Sequence, residues 1–133
     1  MRVAELMRTD VKSIEPGASI ADLIHKLADA RVSGLPVLDE SAHVIGVVTA
    51  TDVLRSAAGL ADVREKPSAN EPHTVSDIMT PKPHLIAPDD DVRDAAKHML
   101  YADVRRLFVE EGGRLVGVIS QTDIAQAVGT GRL

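Results

Sequence analysis

Apolar positions alternate with polar ones in a pattern that changes period several times along the chain. Ile20, Leu23, Ile24 and Leu27 recur at helical spacing behind Ser19, with Asp22 three places after it, which predicts a capped amphipathic helix. Two short apolar runs follow, Leu35 to Leu38 and Val44 to Val48, split by the polar turn Asp39 to His43, so a pair of strands is predicted. Thr49 then stands where a hydroxyl caps a further helix containing Val53 and Leu54. Ahead of all this, Val11 to Ile14 reads as an extended lead-in with room for a short strand.

The same succession then returns. Asp91 and Asp94 precede the stripe Val92, Ala95, Ala96 and Met99; Leu107 to Val109 and Leu115 to Ile119 flank the turn Glu110 to Arg114; Ser120 caps a helix with Ile124 and Ala127. Slid against itself, the chain places Val3 on Val75, Met7 on Met79, Ile14 on Ile86, Pro16 on Pro88, Asp22 on Asp94, Ala30 on Ala102, Val32 on Val104, Leu35 on Leu107 and Val37 on Val109. After a one-residue gap, Gly46, Val47, Thr51 and Asp52 fall on Gly117, Val118, Thr122 and Asp123. Their constant order identifies an internal repeat: residues 1–58 and 73–130, joined by the polar, proline-interrupted connector 59–72 and followed by a tail, 131–133.

The fold class this predicts is α/β (α+β), two copies of a small sheet with flanking helices. Each copy needs cover for the sheet face its own helices leave open, and the other copy is the available cover. Packing about a pseudo-twofold axis into one compact module would bring the turns GVVTATD and GVISQTD into a shared cleft.

Composition narrows the function classes. The chain has 133 residues, 44% apolar and 26% charged, the balance of a soluble globular protein. One Phe, one Tyr and no Trp leave an aliphatic core and almost no stacking surface for single-stranded nucleic acid. A net charge of -5 argues against a basic nucleic-acid face, so any phosphate site is small and local. Without cysteine there is neither a disulfide framework nor a thiolate metal site, which fits a cytoplasmic setting. MRVAELMRTD is broken by charge before a signal-length apolar run develops, and no stretch approaches a membrane span.

The ELM and DIM openings, the segments SGLPVLDE and RRLFVEEG, and the GVVTATD and GVISQTD turns, in one order and twice over, resemble the cystathionine beta-synthase (CBS) domain in tandem, the arrangement called a Bateman module. The resemblance covers nearly the whole chain outside the connector. It implies a regulatory module that binds an adenine-containing ligand, AMP, ADP or ATP before S-adenosylmethionine or NAD.

Two readings of the repeated turn stand side by side. Thr49 with Asp52, and Ser120 with Asp123, have the spacing of a capping box, in which hydroxyl and carboxylate satisfy the free amides of a helix start. The resemblance implies a second role, with Asp52 and Asp123 holding ribose. An ionised carboxylate offers only acceptors, which suits a vicinal diol and repels phosphate. Thr51 and Thr122 would then meet the sugar edge or a phosphate, aided by helix-start amides.

Charge separates the copies at one place. Arg105 and Arg106 stand where the first copy has Ser33 and Gly34. Each site in resembling modules takes its aspartate from one repeat and its phosphate contacts from the other. That implies Asp52 working with Arg105 and Arg106 for a phosphorylated ligand, and Asp123 with the neutral Ser33 for an uncharged nucleoside or none. The base is expected against Lys12 to Ile14 and His84 to Ile86, and against Leu35, Pro36, Val37, Leu107 and Val109, positions that serve equally as strand and core.

The five histidines, His25, His43, His73, His84 and His98, show no tight spacing, so no metal site is expected. No GxSxG, HExxH or Walker A pattern is present, and no catalytic residues are assigned. Three classes remain: a ligand-sensing regulatory module, a ligand-free structural or dimerisation module, and a nucleotide-acting enzyme, in that order. A sensor of this kind needs an output, either a homodimer built on apolar helix faces or a separate effector protein.

Overall fold

The computed structural model describes residues 1–59 and 74–133, so the connector, apart from Gly59, and His73 lie outside the described residues. In chain order the elements are α1 (Val3–Leu6), α2 (Ile20–Ala30), β1 (Gly34–Leu38), β2 (Val44–Thr49), α3 (Ala50–Ala57), α4 (Val75–Ile78), β3 (Thr80–Pro81), β4 (Leu85–Ile86), α5 (Val92–Ala102), β5 (Arg106–Glu111), β6 (Arg114–Ser120) and α6 (Gln121–Gly129). The helix, strand, strand, helix succession predicted for each copy is present, and each copy opens with a further one-turn helix, α1 or α4, that periodicity did not signal.

Two compact units result: Lys12–Lys82, and Met1–Val11 together with Pro83–Leu133. The opening segment of each sequence copy thus belongs to the unit built by the rest of the other copy.

In the unit Lys12–Lys82 the sheet order is β1-β2-β3, antiparallel throughout. Gly46 and Val47 of β2 pair with Pro81 and Thr80, so the DIM segment supplies the third strand. On the opposite edge Ile14 bridges Val37 in parallel, through Ile14 N to Pro36 O at 3.1 Å and Leu38 N to Ile14 O at 3.0 Å. Helix α2 starts where expected, Ser19 Oγ accepting from Asp22 N at 3.0 Å, and stops at Arg31 in the left-handed conformation. Its inner face packs Leu23 and Leu27 onto Ile14, Leu35, Val37 and Val48, and the core is closed by Val75 and Ile78 of α4.

The second unit repeats this plan. Its sheet order is β4-β5-β6, with β4 parallel to β5 and β5 antiparallel to β6. The outer edge of β6 is met by Arg8, through Arg8 N to Val118 O at 2.8 Å and Val118 N to Arg8 O at 2.9 Å. Val3 of α1 is fully buried among Val92, Ala95, Met99, Leu107, Val109, Ile119 and Ile124. The cap of α5 differs in detail from expectation, because the Asp91 carboxylate accepts from Arg93 N at 2.8 Å instead of from Asp94 N.

The exchange of opening segments explains the glycine of each GVV/GVI turn. A Cβ on Gly46 would lie 2.8 Å from Met79 Sδ and 2.9 Å from Thr80 O; one on Gly117 would lie 2.7 Å from Met7 Sδ and 2.8 Å from Arg8 O. The methionine of ELM or DIM and the carbonyl after it occupy the space where a side chain would be. Two motifs far apart in sequence are therefore the two halves of one contact.

Candidate functional site

The repeated turn carries the two buried carboxylates of the described residues, Asp52 at 7% and Asp123 at 8% exposure. Burial of a charged group is favourable only with partners. Each has them at the start of a helix. Asp52 Oδ2 accepts from Thr49 N at 2.8 Å and Thr49 Oγ1 at 3.1 Å, while Thr49 Oγ1 accepts from Asp52 N at 3.2 Å. Asp123 Oδ2 accepts from Ser120 N at 2.9 Å, and Ser120 Oγ accepts from Asp123 N at 3.1 Å. These are capping boxes, and a third of the same kind, Thr74 with Asp77, starts α4.

The box uses one carboxylate oxygen of each pair. The other oxygen is held by the opening segment that packs beside it. Asp52 Oδ1 accepts from Thr80 Oγ1 at 3.3 Å, a long neutral bond, whereas Asp123 Oδ1 accepts from Arg8 Nε at 3.1 Å, a charged one. An ionised carboxylate has about four acceptor positions. Three bonds on Asp52 and two on Asp123 leave acceptor capacity on both for incoming hydroxyls. Thr51 and Thr122, one residue before each aspartate, are exposed.

The start of the preceding strand is tied to each turn. Ala50 N donates to Ser33 O at 2.9 Å, and Gln121 N donates to Arg105 O at 2.9 Å, so the backbone arrangement is the same in both units. What differs is the room for a side chain. Gly34 faces Thr49 across the ladder, and a Cβ there would lie 2.9 Å from the Thr49 methyl. In the other unit Arg106 faces Ser120, which has no such methyl. A hydroxyl caps the helix either way; its methyl decides whether the strand can begin with an arginine. Arg105 is exposed and Arg106 half-buried.

The segments assigned to the base come together within each unit. Lys12 to Ile14 runs beside Pro36 and Val37, and His84 to Ile86 runs beside Phe108 and Val109, with Phe108 N donating to His84 O at 3.1 Å. Leu35, Val37, Leu107 and Val109 are at most 1% exposed and belong to the cores. Of the residues assigned to the base, Lys12 and His84 are exposed and Ile86 is half-buried. A cavity of about 530 Å³ beside Asp123 is lined by Leu6, Gln126, Ala127, Thr130 and Arg132.

One association had no signal in the spacing. His84 Nδ1 and His98 Nε2 lie 3.2 Å apart, a contact between the residue that leads into β4 and a helix that starts eight residues later in the chain. The only hint was that both replace lysines of the first copy, Lys12 and Lys26. Among the described residues no cluster of three or more His, Cys, Asp or Glu converges, and no helix is long and apolar enough to cross a membrane.

Comparison with known proteins follows the same two-part plan. The CBS domain family model matches residues 3–59 and again 75–130. The chain is 28% identical, over 94% of its length, to the CBS domain-containing protein CBSX1, chloroplastic, of Arabidopsis thaliana. It spans between 43% and 63% of the length of this and two similar curated relatives. Among solved structures, CBSX2 in complex with AMP superposes with a TM-score of 0.83 at 27% identity, covering 99% of this chain and 98% of that one. The CBS domain pair of protein MJ0100, in complex with 5'-methylthioadenosine and S-adenosyl-L-methionine, superposes with a TM-score of 0.80 at 21% identity, covering 98% of each, and speaks to the fold alone. Matched twice by one family model, along repeats that share cap, glycine contact and sheet plan, the chain belongs to the CBS domain family.

Proposed function

We propose that this CBS pair is a regulatory module that binds an adenine nucleotide, AMP, ADP or ATP, through the aspartates that cap α3 and α6. The observation that carries the reading is the paired, buried carboxylate with one oxygen fixed by the helix cap and acceptor capacity left over. A ribose diol supplies two donors to such a group, and burial strengthens those bonds. The AMP complex of CBSX2, similar over nearly all of both chains, supports the adenine nucleotide ahead of S-adenosylmethionine or NAD.

The two sites are unequal in this reading. Asp52, with only the Thr80 hydroxyl on its second oxygen, takes the ribose most readily; Arg105 and Arg106 are the guanidiniums that the resemblance assigns to a phosphate. Asp123, already paired with Arg8, takes an uncharged nucleoside or stays empty. Thr51 and Thr122 meet the sugar or phosphate edge. The role is sensing and not catalysis, in a cysteine-free protein suited to the cytoplasm. Its output goes to an effector protein or through a homodimer. Leu54, Leu100, Tyr101 and Val128, between 58% and 98% exposed on three helices, favour the dimer and support the second reading, a ligand-free dimerisation module.

Thermal unfolding with AMP, ADP, ATP, S-adenosylmethionine or NAD separates these readings. A ligand at one hundred times its dissociation constant adds about 2.7 kcal/mol and raises the midpoint by roughly 10 °C. The sensor predicts that rise for an adenine nucleotide, its loss in Asp52→Ala relative to that variant's own unliganded midpoint, and its retention in Asp123→Ala. No rise with any ligand at millimolar concentration moves the assignment to the dimerisation module.

A further inference from the structure

We infer that His84 and His98 form a Zn²⁺-binding pair on the surface of the unit that contains β4, β5 and β6. The two ring nitrogens, His84 Nδ1 and His98 Nε2, are 3.2 Å apart, and the rings stand nearly perpendicular at 82° with centroids 5.3 Å apart. Zinc binds imidazole nitrogen at about 2.0–2.1 Å, so two nitrogens at this separation subtend about 100° at a shared ion, close to a tetrahedral edge. A square-planar ion with similar bonds needs its cis nitrogens nearer about 2.9 Å, which makes Zn²⁺ the better fit.

Elements of the fold hold the two donors at this spacing. His84 is fixed by its own carbonyl, which accepts from Phe108 N at 3.1 Å, and leads directly into β4. His98 precedes the buried Met99 on α5, whose seating in the core sets the position of its neighbour. In the unliganded state one imidazole donates to the other, which needs one donor and one acceptor nitrogen. Ligation turns both facing nitrogens into donors to the metal. His84 must then carry its proton on Nε2 and His98 on Nδ1, a tautomer shift and not a change of fold.

The first copy shows what the same positions do without imidazole. Lys12 and Lys26 occupy them, and Lys26 Nζ donates to Ser13 O at 2.7 Å, fastening α2 to the lead-in that runs to Ile14. An ammonium group makes that clasp but cannot ligate a cation. In the second copy both lysines are replaced by histidine, so the clasp is made of two metal donors. No third His, Cys, Asp or Glu joins them among the described residues, which makes this an open site whose remaining positions fall to water or to a donor from a bound molecule. The inference is independent of the nucleotide reading.

Calorimetric titration of untagged protein with ZnCl₂ in a non-chelating buffer at pH 7.5 tests it. One equivalent is expected to bind, weakened more than about tenfold in His84→Ala and in His98→Gln and unchanged in His25→Ala. Imidazole nitrogen NMR of the wild type is expected to move the His84 and His98 signals on adding Zn²⁺ and to leave His25 and His43 in place, a readout that does not depend on any variant folding. Binding that is no tighter in wild type than in the His84→Ala/His98→Gln double variant, or Zn²⁺-induced shifts confined to other histidines, overturns the assignment.

Discussion

Asp52 and Asp123 occupy the same step of the same turn, equally buried, each closing a capping box with the hydroxyl three residues before it. They differ in the group that approaches from the exchanged opening segment: a threonine hydroxyl for Asp52 and a guanidinium for Asp123. The copies have kept what stabilises the helix and diverged in what holds the second carboxylate oxygen. A diol displaces a long neutral bond with little loss, but it must share or evict a cation. A similar divergence separates the strand starts, where Thr49 excludes a side chain at position 34 and Ser120 admits Arg106. The surroundings of the two caps thus differ through single methyl groups and single partners, while the capping boxes themselves are the same.

The strongest test addresses what the copies share. Gly117→Val and Gly46→Val each drive a side chain into a methionine and a backbone carbonyl, and a loss of about 3 kcal/mol is expected from either, measured by denaturant unfolding. Adding Met7→Ala to Gly117→Val should recover little of it, because Arg8 O remains 2.8 Å from the new Cβ. Tolerance of valine in one copy only would mean that the two exchanged segments are not held alike.

A second test goes to the strand starts. Gly34→Arg should destabilise by about 1–2 kcal/mol through the Thr49 methyl, and Thr49→Ser should restore most of that in the double variant while keeping the cap hydroxyl. Equal stability of Gly34→Arg with and without Thr49→Ser would remove the methyl as the deciding group. The smallest effect belongs to the ion pair. The Arg8 side chain is 66% exposed, so screening by solvent limits the pair, and Arg8→Gln should cost no more than about 1 kcal/mol, less in high salt. The same variant frees Asp123 Oδ1, and adenosine should stabilise it more than it stabilises wild type. Failure to gain adenosine binding would show that Arg8 is not what sets the second site apart.

Much of this was legible in sequence where the cause is local. Thr49 with Asp52 and Ser120 with Asp123 reveal the caps because a capping box is satisfied within four residues. Ser19 and the stripe through Leu23 and Leu27 reveal α2 for the same reason. The exchange of opening segments was not legible: the buried Val3 and Val75 show that a face is covered, but periodicity carries no record of which core covers it. The glycines of the GVV and GVI turns were visible as motif and opaque in cause, since the methionines that require them are distant in sequence. The His84–His98 contact escaped because it joins an extended segment to a helix, where no fixed spacing applies. Leu35, Val37, Leu107 and Val109 illustrate the opposite limit, positions whose pattern fits core and ligand contact alike until burial assigns their side chains to the core.

The exchange also imposes an order of events on synthesis. The unit Lys12–Lys82 is one continuous stretch of chain and can close as soon as α4 and β3 emerge. Residues 1–11 are made first but dock against β6, α5 and α6, which are made last. At about 5–20 residues per second, Val3 waits roughly 4 to 18 s for Val92 to be added. During that interval an apolar opening segment with its methionine and valine is uncovered. The long-range contacts that follow are the slow kind to form, so residues 1–11 stay open to misassembly after the unit Lys12–Lys82 has been able to close.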